Sequence, residues 1–237
     1  MITVFPFNKL GNHNYGWLDA HYHFSFAGYY NPDHSGFPPL LVWNDDLIQP
    51  GTGFPMHSHK DMEIITYIRQ GAITHEDSLG NKGITRAGEI QIMSAGTGIT
   101  HSEYNHENEE TLLFQIWIQP NKNQIKPRWE NVRIDTSDNM GIRILASGQK
   151  VNMDDGIIKI YQDATLYVIT GETDHMQHYH LLDGRHMYMV VSKGGVSVNN
   201  NIVGNRDGIY IKNEKELEFI FQGEGEMILL DLPSLTT

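Results

Sequence analysis

Apolar residues fall in short runs that alternate with polar residues, and long amphipathic helical patterns are scarce. The runs are rich in Ile, Val, Tyr, Phe and Thr and are separated by Gly, Asn and Asp, which is typical of strands joined by turns. Strands are predicted for EIITYIRQG (63–71), EIQIMSAG (89–96), TLLFQIWIQP (111–120), TLYVITG (165–171) and HMYMVVSKGG (186–195). Several strands at this spacing indicate a β-sandwich or barrel, so we expect an all-β fold with few short helices.

The chain carries an internal duplication. The segment GAITHEDSLGNKGITRAGEIQIM resembles GGVSVNNNIVGNRDGIYI in the second half, because each has a short strand, a turn through LGN or VGN, and an alternating run. Both halves then close on an apolar strand that ends in proline, FQIWIQP and ILLDLP. Repetition of this kind predicts two tandem barrels. We expect an N-terminal barrel in 1–125. The range 126–237 should contain the crossover and a degenerate C-terminal barrel. The polar, turn-rich region from about 121 to 155 would serve as the crossover.

Composition narrows the possible partners. The chain has 237 residues and a formal net charge of −12, so phosphate backbones repel it and direct nucleic-acid binding is not expected. The apolar stretches are strand-sized, and no membrane span is predicted. Cysteine is absent, which rules out disulfides and thiolate chemistry. The N-terminal MITVFPFNKLG lacks the sections of a signal peptide, so a cytoplasmic location is expected.

Three of the 13 histidines are the most informative, because they lie in two i, i+2 pairs, His57 with His59 and His101 with Glu103. Residues at this spacing share one face of a strand, so His57 projects with His59, and His101 projects with Glu103. Two such pairs on neighbouring strands would bring three imidazoles and a carboxylate to one point. Imidazole with carboxylate suits iron, manganese, cobalt, nickel, copper or zinc. The same spacing in AHYHFSF (20–26) has no second partner pair, and there a surface or core role is expected.

These motifs resemble a known family. The stretch GTGFPMHSHKDMEIITYIRQG (51–71) is similar to the first motif of the cupin superfamily, and GEIQIMSAGTGITHSEYN (88–105) to the second, with two extra loop residues. More narrowly, HFSFAGYYNPDHSGFPPLLVWNDD, PGTGFPMHSHKDMEIITYIRQGAITHEDSLGN and MSAGTGITHSEYN resemble the pirin family over roughly residues 15–125, and the second half does so loosely. The resemblance implies a bicupin with one divalent transition metal per chain, iron first among the candidates. Its implied ligands are His57, His59, His101 and Glu103.

Glu63 is the position on which the two resemblances differ. The general cupin pattern makes it a ligand, whereas pirins use the later glutamate. Following the closer resemblance, we expect Glu63 to support the site by a hydrogen bond, for instance to the free N–H of a ligand histidine. His75 is expected either at the cavity mouth or as a solvated strand histidine. In the second half, His178 and His180 lack a following pair, because the corresponding strand reads IYIKNEKELEF, which argues against a second site.

The resemblance also implies an activity. Bacterial pirins resemble quercetinases, which open a flavonol ring with O2 and release carbon monoxide, so a small aromatic substrate and O2 are the expected partners. Glu103 is the expected base for the substrate hydroxyl. Phe54, Met93 and Ile116 are candidates for the lining of an apolar pocket, although each also suits an ordinary core.

Two alternatives stay open. Eukaryotic pirins are regulatory proteins that bind transcription factors, with the redox state of the metal setting the surface presented, and a bacterial pirin could regulate a metabolic enzyme by contact. A metal-dependent isomerase or hydrolase is the third class, since cupins host many reactions.

Overall fold

The computed structural model of the chain describes residues 1–134, 140–149 and 156–234. Within these ranges the chain forms 22 strands and one short 3-10 helix, Phe7–Lys9, which confirms the all-β prediction. The first twelve strands are β1 (Ile2–Phe5), β2 (Gly11–Asn14), β3 (Leu18–Tyr22), β4 (Leu40–Ile48), β5 (Gly53–His59), β6 (Glu63–Gln70), β7 (Ala72–Asp77), β8 (Lys82–Arg86), β9 (Glu89–Ser94), β10 (Ile99–Tyr104), β11 (Thr111–Ile118) and β12 (Arg128–Arg133). The remaining ten are β13 (Gly141–Ser147), β14 (Ile158–Lys159), β15 (Thr165–Gly171), β16 (Met176–His180), β17 (Arg185–Lys193), β18 (Val196–Val198), β19 (Asn201–Val203), β20 (Gly208–Lys212), β21 (Glu216–Phe221) and β22 (Gly225–Pro233).

All five runs that the hydrophobic pattern predicts as strands are strands, namely β6, β9, β11, β15 and β17, with ends within two residues of the prediction. Alternation identifies them because one face of each packs into a core while the chain between them turns through Gly and Asn. None of the helices in the described part of the chain has the length and apolarity needed to cross a membrane.

The chain packs as two compact units whose limits differ from the predicted ranges 1–125 and 126–237. One unit is Gly11–Ile134 with Ile160–Gln162; the other is Met1–Leu10 with Asp135–Lys159 and Asp163–Thr237. Strand pairing explains both differences. The N-terminal strand β1 pairs with β20 of the second unit, and β12 extends the first unit beyond residue 125 by pairing with β9. Residues 135–139 and 150–155 of the predicted crossover lie outside the described residues.

The first unit is built from two sheets. The larger has the order β12-β9-β6-β11-β4-β3-β2 and the smaller the order β5-β10-β7-β8. Apolar side chains of both sheets, such as Ile68 and Leu113 on the larger and Ile73 on the smaller, pack into one buried cluster. The smaller sheet carries the predicted His-x-His and His-Ser-Glu segments on neighbouring strands, because β10 pairs with both β5 and β7.

The second unit repeats this arrangement. Its larger sheet has the order β1-β20-β17-β22-β15-β13-β14, and its smaller sheet the order β16-β21-β18-β19. The hairpin β18–β19 and strand β20 occupy the places of β7, β8 and β9, as the sequence duplication predicts. A buried cluster that includes Met187, Phe219 and Leu229 forms its core. The prediction of two tandem barrels is therefore confirmed.

Candidate metal centre

Three imidazoles meet on the smaller sheet of the first unit. His57 and His59 share one face of β5, and His101 lies directly opposite His57 on β10. The ring centres of His57 and His101 are 4.4 Å apart, those of His57 and His59 4.8 Å, and those of His59 and His101 5.1 Å. One nitrogen of each ring can be chosen so that the three nitrogens lie within 4.8 Å of one another. The convergence predicted from strand parity is therefore present for the three histidines.

The hydrogen bonds of these rings leave lone pairs available. His57 Nδ1 lies 2.7 Å from the carbonyl oxygen of Pro55, which can only accept, so Nδ1 carries the proton and Nε2 keeps its lone pair. His101 Nε2 is buried and has no hydrogen-bond partner among the described residues. Burial lowers the pKa of His59 to about 4 and, together with the neighbouring His57, that of His101 to about 2. Neutral imidazoles with unshared lone pairs are the donor set that transition-metal ions prefer, so these residues fit such an ion.

A buried histidine and an aspartate lie behind His101. His75 Nε2 is 3.1 Å from Asp77 Oδ2, and His75 Nδ1 is 3.4 Å from His101 Nδ1. Burial opposes ionisation of Asp77, but hydrogen bonds from Asn81 and His75 outweigh it and lower the pKa of this carboxyl group. The carboxylate accepts from His75 Nε2–H, so His75 Nδ1 accepts from His101 Nδ1–H. The chain of hydrogen bonds thus selects the tautomer of His101 whose Nε2 faces the other two imidazoles.

The ring of His75 is held by stacking. Its centre lies 4.8 Å from that of the Trp129 indole, with 7° between the planes. Gly83 makes room for this indole, because a Cβ atom at that position would lie 2.3 Å from the Trp129 ring. The expectation of a solvated or mouth-lining His75 is therefore wrong, since the side chain is fully buried. Asp77 was not predicted as a site residue, although its i, i+2 spacing from His75 places both side chains on one face of the strand.

Glu103 is buried beside this cluster but is held by neutral side chains. Its Oε1 accepts hydrogen bonds from Gln91 Nε2 at 2.6 Å and Thr66 Oγ1 at 3.2 Å, and its Oε2 accepts from Gln115 Nε2 at 2.9 Å. These three partners form one row across β9, β6 and β11. Burial raises the pKa of Glu103 to about 7.

The structure divides the predicted ligands into two overlapping triads. His57, His59 and His101 form one; His75, His101 and Glu103 form the other, again with one donor atom from each residue within 4.8 Å. Among the described residues, no single group of this size joins Glu103 to His57 and His59. A bulge in β5 accounts for the difference, because His57 lies opposite His101 while Phe54, not Pro55, lies opposite Glu103.

Glu63 lies apart from both triads. It is fully buried, its Oε2 accepts a hydrogen bond from Ser94 Oγ at 2.9 Å, and the backbone N–H of Tyr161 donates to the same carboxyl group. Burial raises the pKa of Glu63 to about 7. The expected hydrogen bond from Glu63 to a ligand histidine is not formed.

An apolar cavity of about 170 Å³ opens beside His57 and His59. Its walls include Phe26, Phe54 and Trp117, so the expectation for Phe54 as a lining residue holds. Met93 and Ile116 do not line this cavity and are buried core residues, because Met93 packs against Ile64 and Ile116 has no exposed surface. In the second unit, His178 and His180 are exposed on β16, opposite Glu218 and Glu216.

Each of the two units has a seven-stranded and a four-stranded sheet, and the smaller sheet of the first unit carries the histidine cluster. These features define a two-domain cupin-type protein. Residues 5–118 match the family Pirin, and residues 145–232 match the family described as quercetinase C-terminal cupin domain. The chain therefore belongs to the pirin family, as its motifs indicate.

Similar proteins span the whole chain. A pirin-like protein of Caulobacter vibrioides is 46% identical over 232 residues, which cover 98% of this chain and 99% of that protein. The quercetin 2,3-dioxygenase of Escherichia coli K12 is 42% identical over 234 residues, with coverage of 98% and 99%. The crystal structure of the bacterial pirin YhhW from Escherichia coli in complex with nickel(II) aligns with a TM-score of 0.93 at 42% identity, covering 99% of this chain and 100% of that one.

Proposed function

We propose that this pirin is a metal-dependent dioxygenase of the quercetin 2,3-dioxygenase type, which opens the heterocycle of a flavonol with O2. The observation that carries the proposal is that His57 and His59 belong to the imidazole cluster and also line the apolar cavity. A flat aromatic ligand in this cavity would therefore reach an ion held by the cluster. The names of the relatives support the same activity, since one of them is a quercetin 2,3-dioxygenase.

The proposed ligands are His57, His59 and His101, with Glu103 as the fourth. Glu103 joins them when its carboxylate leaves the side chains of Gln91 and Gln115, and a cation at the three imidazoles favours its ionised form. One divalent transition metal per chain is proposed. Iron is the first candidate, followed by manganese, cobalt, nickel, copper and zinc, because nitrogen and oxygen ligands accept all of them. The pirin YhhW that resembles this chain binds nickel(II) in its crystal structure.

A divalent ion with open coordination positions, when bound, supplies a Lewis acid for the 3-hydroxyl oxygen of a flavonol. Glu103 is the proposed base that takes up the hydroxyl proton, and a pKa of about 7 suits both uptake and release near neutral pH. Gln115 lines the cavity and donates to Glu103, so it has to turn aside for the substrate to reach this carboxylate. The apolar rings of Phe54 and Trp117 exclude water from the substrate.

Anaerobic mixing with quercetin followed by admission of O2 tests this function. The protein would be loaded separately with each of the candidate metals and compared with the His57→Ala variant. We expect the flavonol absorption band to shift without O2 and to bleach on its admission, with one O2 consumed and one carbon monoxide released per flavonol.

Failure to bleach quercetin with any of the six metals would contradict the enzymatic proposal. It would favour the regulatory alternative, in which a protein partner recovered by pull-down should bind the wild type and the His57→Ala variant differently. The cytoplasmic location stays a prediction.

A further inference from the structure

Two polar side chains on β4 lie on the wall of the apolar cavity with unused hydrogen-bond acceptors. Asn44 and Asp46 share one face of the strand and are 4% and 2% exposed. Both line the cavity that His57 and His59 also line. The Oδ1 atom of each is buried, and it accepts no hydrogen bond from the part of the chain that the structure describes. Buried acceptors without donors are rare in folded proteins because each loses its hydration without compensation.

The neighbouring Asp45 shows how such a carboxylate is normally satisfied. It lies on the opposite face of β4, where its carboxylate forms a salt bridge with Arg69. Asp46 has no such partner, because its register neighbours on the flanking strands are Ala20 of β3 and Leu113 of β11. Neither of these side chains carries a donor, and the residue faces the cavity instead. The two consecutive buried carboxyl groups thus differ, because Asp45 forms a salt bridge whereas no donor of the described residues reaches Asp46 Oδ1.

The surroundings of the two free acceptors define the ligand that would satisfy them. The rings of Tyr22, Phe26 and Trp117 with Leu18 make the cavity predominantly apolar and aromatic. Such walls favour the flat face of an aromatic compound, because apolar surface is removed from water and ring edges can pack against ring faces. A carboxyl oxygen and an amide oxygen in the same wall favour hydrogen-bond donors on that compound. A polyhydroxylated aromatic compound offers both features.

We propose that Asn44 and Asp46 form a recognition subsite for the hydroxyl groups of a polyphenol bound beside His57 and His59. This inference rests on the proposed function for the nature of the ligand, and it assigns specificity to residues outside the imidazole cluster. Burial, together with the neighbouring Asp45 and Glu103, raises the pKa of Asp46 and favours its neutral form, whose buried Oδ1 accepts a hydrogen bond from a ligand hydroxyl group. Compounds of the same aromatic shape without these hydroxyl groups leave both acceptors unpaired and bind more weakly.

Equilibrium binding of two flavonols that differ in hydroxylation tests the subsite. The probes are quercetin and 3-hydroxyflavone, titrated anaerobically into the metal-loaded and the metal-free protein. We expect the wild type to prefer quercetin by roughly tenfold, the upper end of what one hydrogen bond between neutral groups contributes. Asp46→Leu should abolish the preference and Asp46→Asn should reduce it. Asp19→Asn, which changes a carboxylate outside the cavity lining, should retain it.

Thermal unfolding of the metal-free protein separates recognition from a structural role. Removing an unpaired buried acceptor should raise the Tm of Asp46→Leu by roughly 2–4 °C. A carboxylate that stabilised the fold would give a lower Tm in both Asp46→Leu and Asp46→Asn, which would overturn the proposal.

The binding outcomes distinguish the subsite from the enzymatic activity. An unchanged preference for quercetin in Asp46→Leu overturns the subsite even if quercetin is bleached in air. If the preference for quercetin depends on Asp46 but quercetin is not bleached in air, the result supports the subsite and contradicts the dioxygenase activity. Wild-type protein that binds neither flavonol contradicts both.

Discussion

His75 Nε2 lies 3.1 Å from Asp77 Oδ2, and the other nitrogen of the same ring faces His101. Asp77 thereby determines which nitrogen of His75 carries the proton, and His75 in turn determines this for His101. Neither His75 nor Asp77 belongs to the triad of His57, His59 and His101. They act on it through the orientation and tautomer of one ring, which is how residues behind a metal ligand commonly tune a site.

Asp77→Asn should weaken metal binding by roughly 10- to 100-fold. The amide can keep the backbone hydrogen bonds that Asp77 Oδ1 accepts from Leu79 and Asn81, while its NH2 group faces His75 Nε2. His75 then has to accept at Nε2 and donate at Nδ1, which places the proton of His101 on Nε2. Calorimetric titration with a divalent metal measures the loss, and 15N chemical shifts of the metal-free protein report the tautomers.

Glu76→Gln is the matched control for this prediction. It removes the charge of the neighbouring carboxylate on β7, which forms a salt bridge with Lys82 at the surface. Equal metal affinities for the wild type and Asp77→Asn would show that the His75–Asp77 pair does not influence the site.

Glu103→Gln should separate metal binding from turnover. The three imidazoles remain, so metal should still bind, while loss of the base lowers kcat by roughly 10²- to 10⁴-fold. Metal content and flavonol bleaching measured on the same preparation would check both parts. Glu109→Gln, which alters an exposed loop carboxylate, should leave both unchanged. A metal-loaded Glu103→Gln protein with the wild-type rate would remove Glu103 from the proposed chemistry.

Glu63→Gln should change how stability depends on pH. Burial raises the pKa of Glu63 from 4.5 to about 7, so between these values the folded protein holds a proton that the unfolded chain has released. The stability contributed by this group is present below pH 4.5 and is lost as the pH rises through 7. The wild type should therefore lose stability relative to Glu63→Gln between pH 4.5 and 8, by on the order of 3 kcal/mol.

Urea unfolding of both metal-free proteins at pH 4.5 and pH 8 measures this difference. Glu103 titrates in the wild type and in the variant alike, so its contribution cancels in the comparison. Parallel stability curves would show that Glu63 has an ordinary pKa in the folded state. Metal content should be unchanged in Glu63→Gln, since this carboxylate contacts Ser94 and Tyr161 and not the imidazoles.

Local patterns in the sequence were enough to predict the strands and the convergence of the histidines. Alternation identified β6, β9 and β11, and i, i+2 spacing placed His57 with His59 on one face of β5. The internal similarity of the two halves gave the second barrel. The strands and the shared faces depend on residues that are close in sequence, and the geometry of a strand determines where such residues lie relative to one another.

Features that depend on register between distant strands could not be predicted in this way. The row of Thr66, Gln91 and Gln115 around Glu103 needs the pairing of three strands, and the bulge that separates Glu103 from His57 lies within β5. The assignment of β1 to the second unit likewise depends on its pairing with β20. The i, i+2 spacing correctly placed His57 with His59 on one strand face and His101 with Glu103 on another. It carried no information on the distance between these two pairs.

Metal content per chain after loading and removal of excess ion tests the central claim that three imidazoles on two strands bind one cation. Elemental analysis would compare the wild type with His57→Ala and with His178→Ala, which alters the His-x-His segment on the corresponding strand of the second unit. We expect one ion per chain in the wild type and in His178→Ala, and close to none in His57→Ala, with similar Tm values for all three metal-free proteins. Wild-type protein that retains no ion, or a His57→Ala protein that retains a full equivalent, would contradict the account.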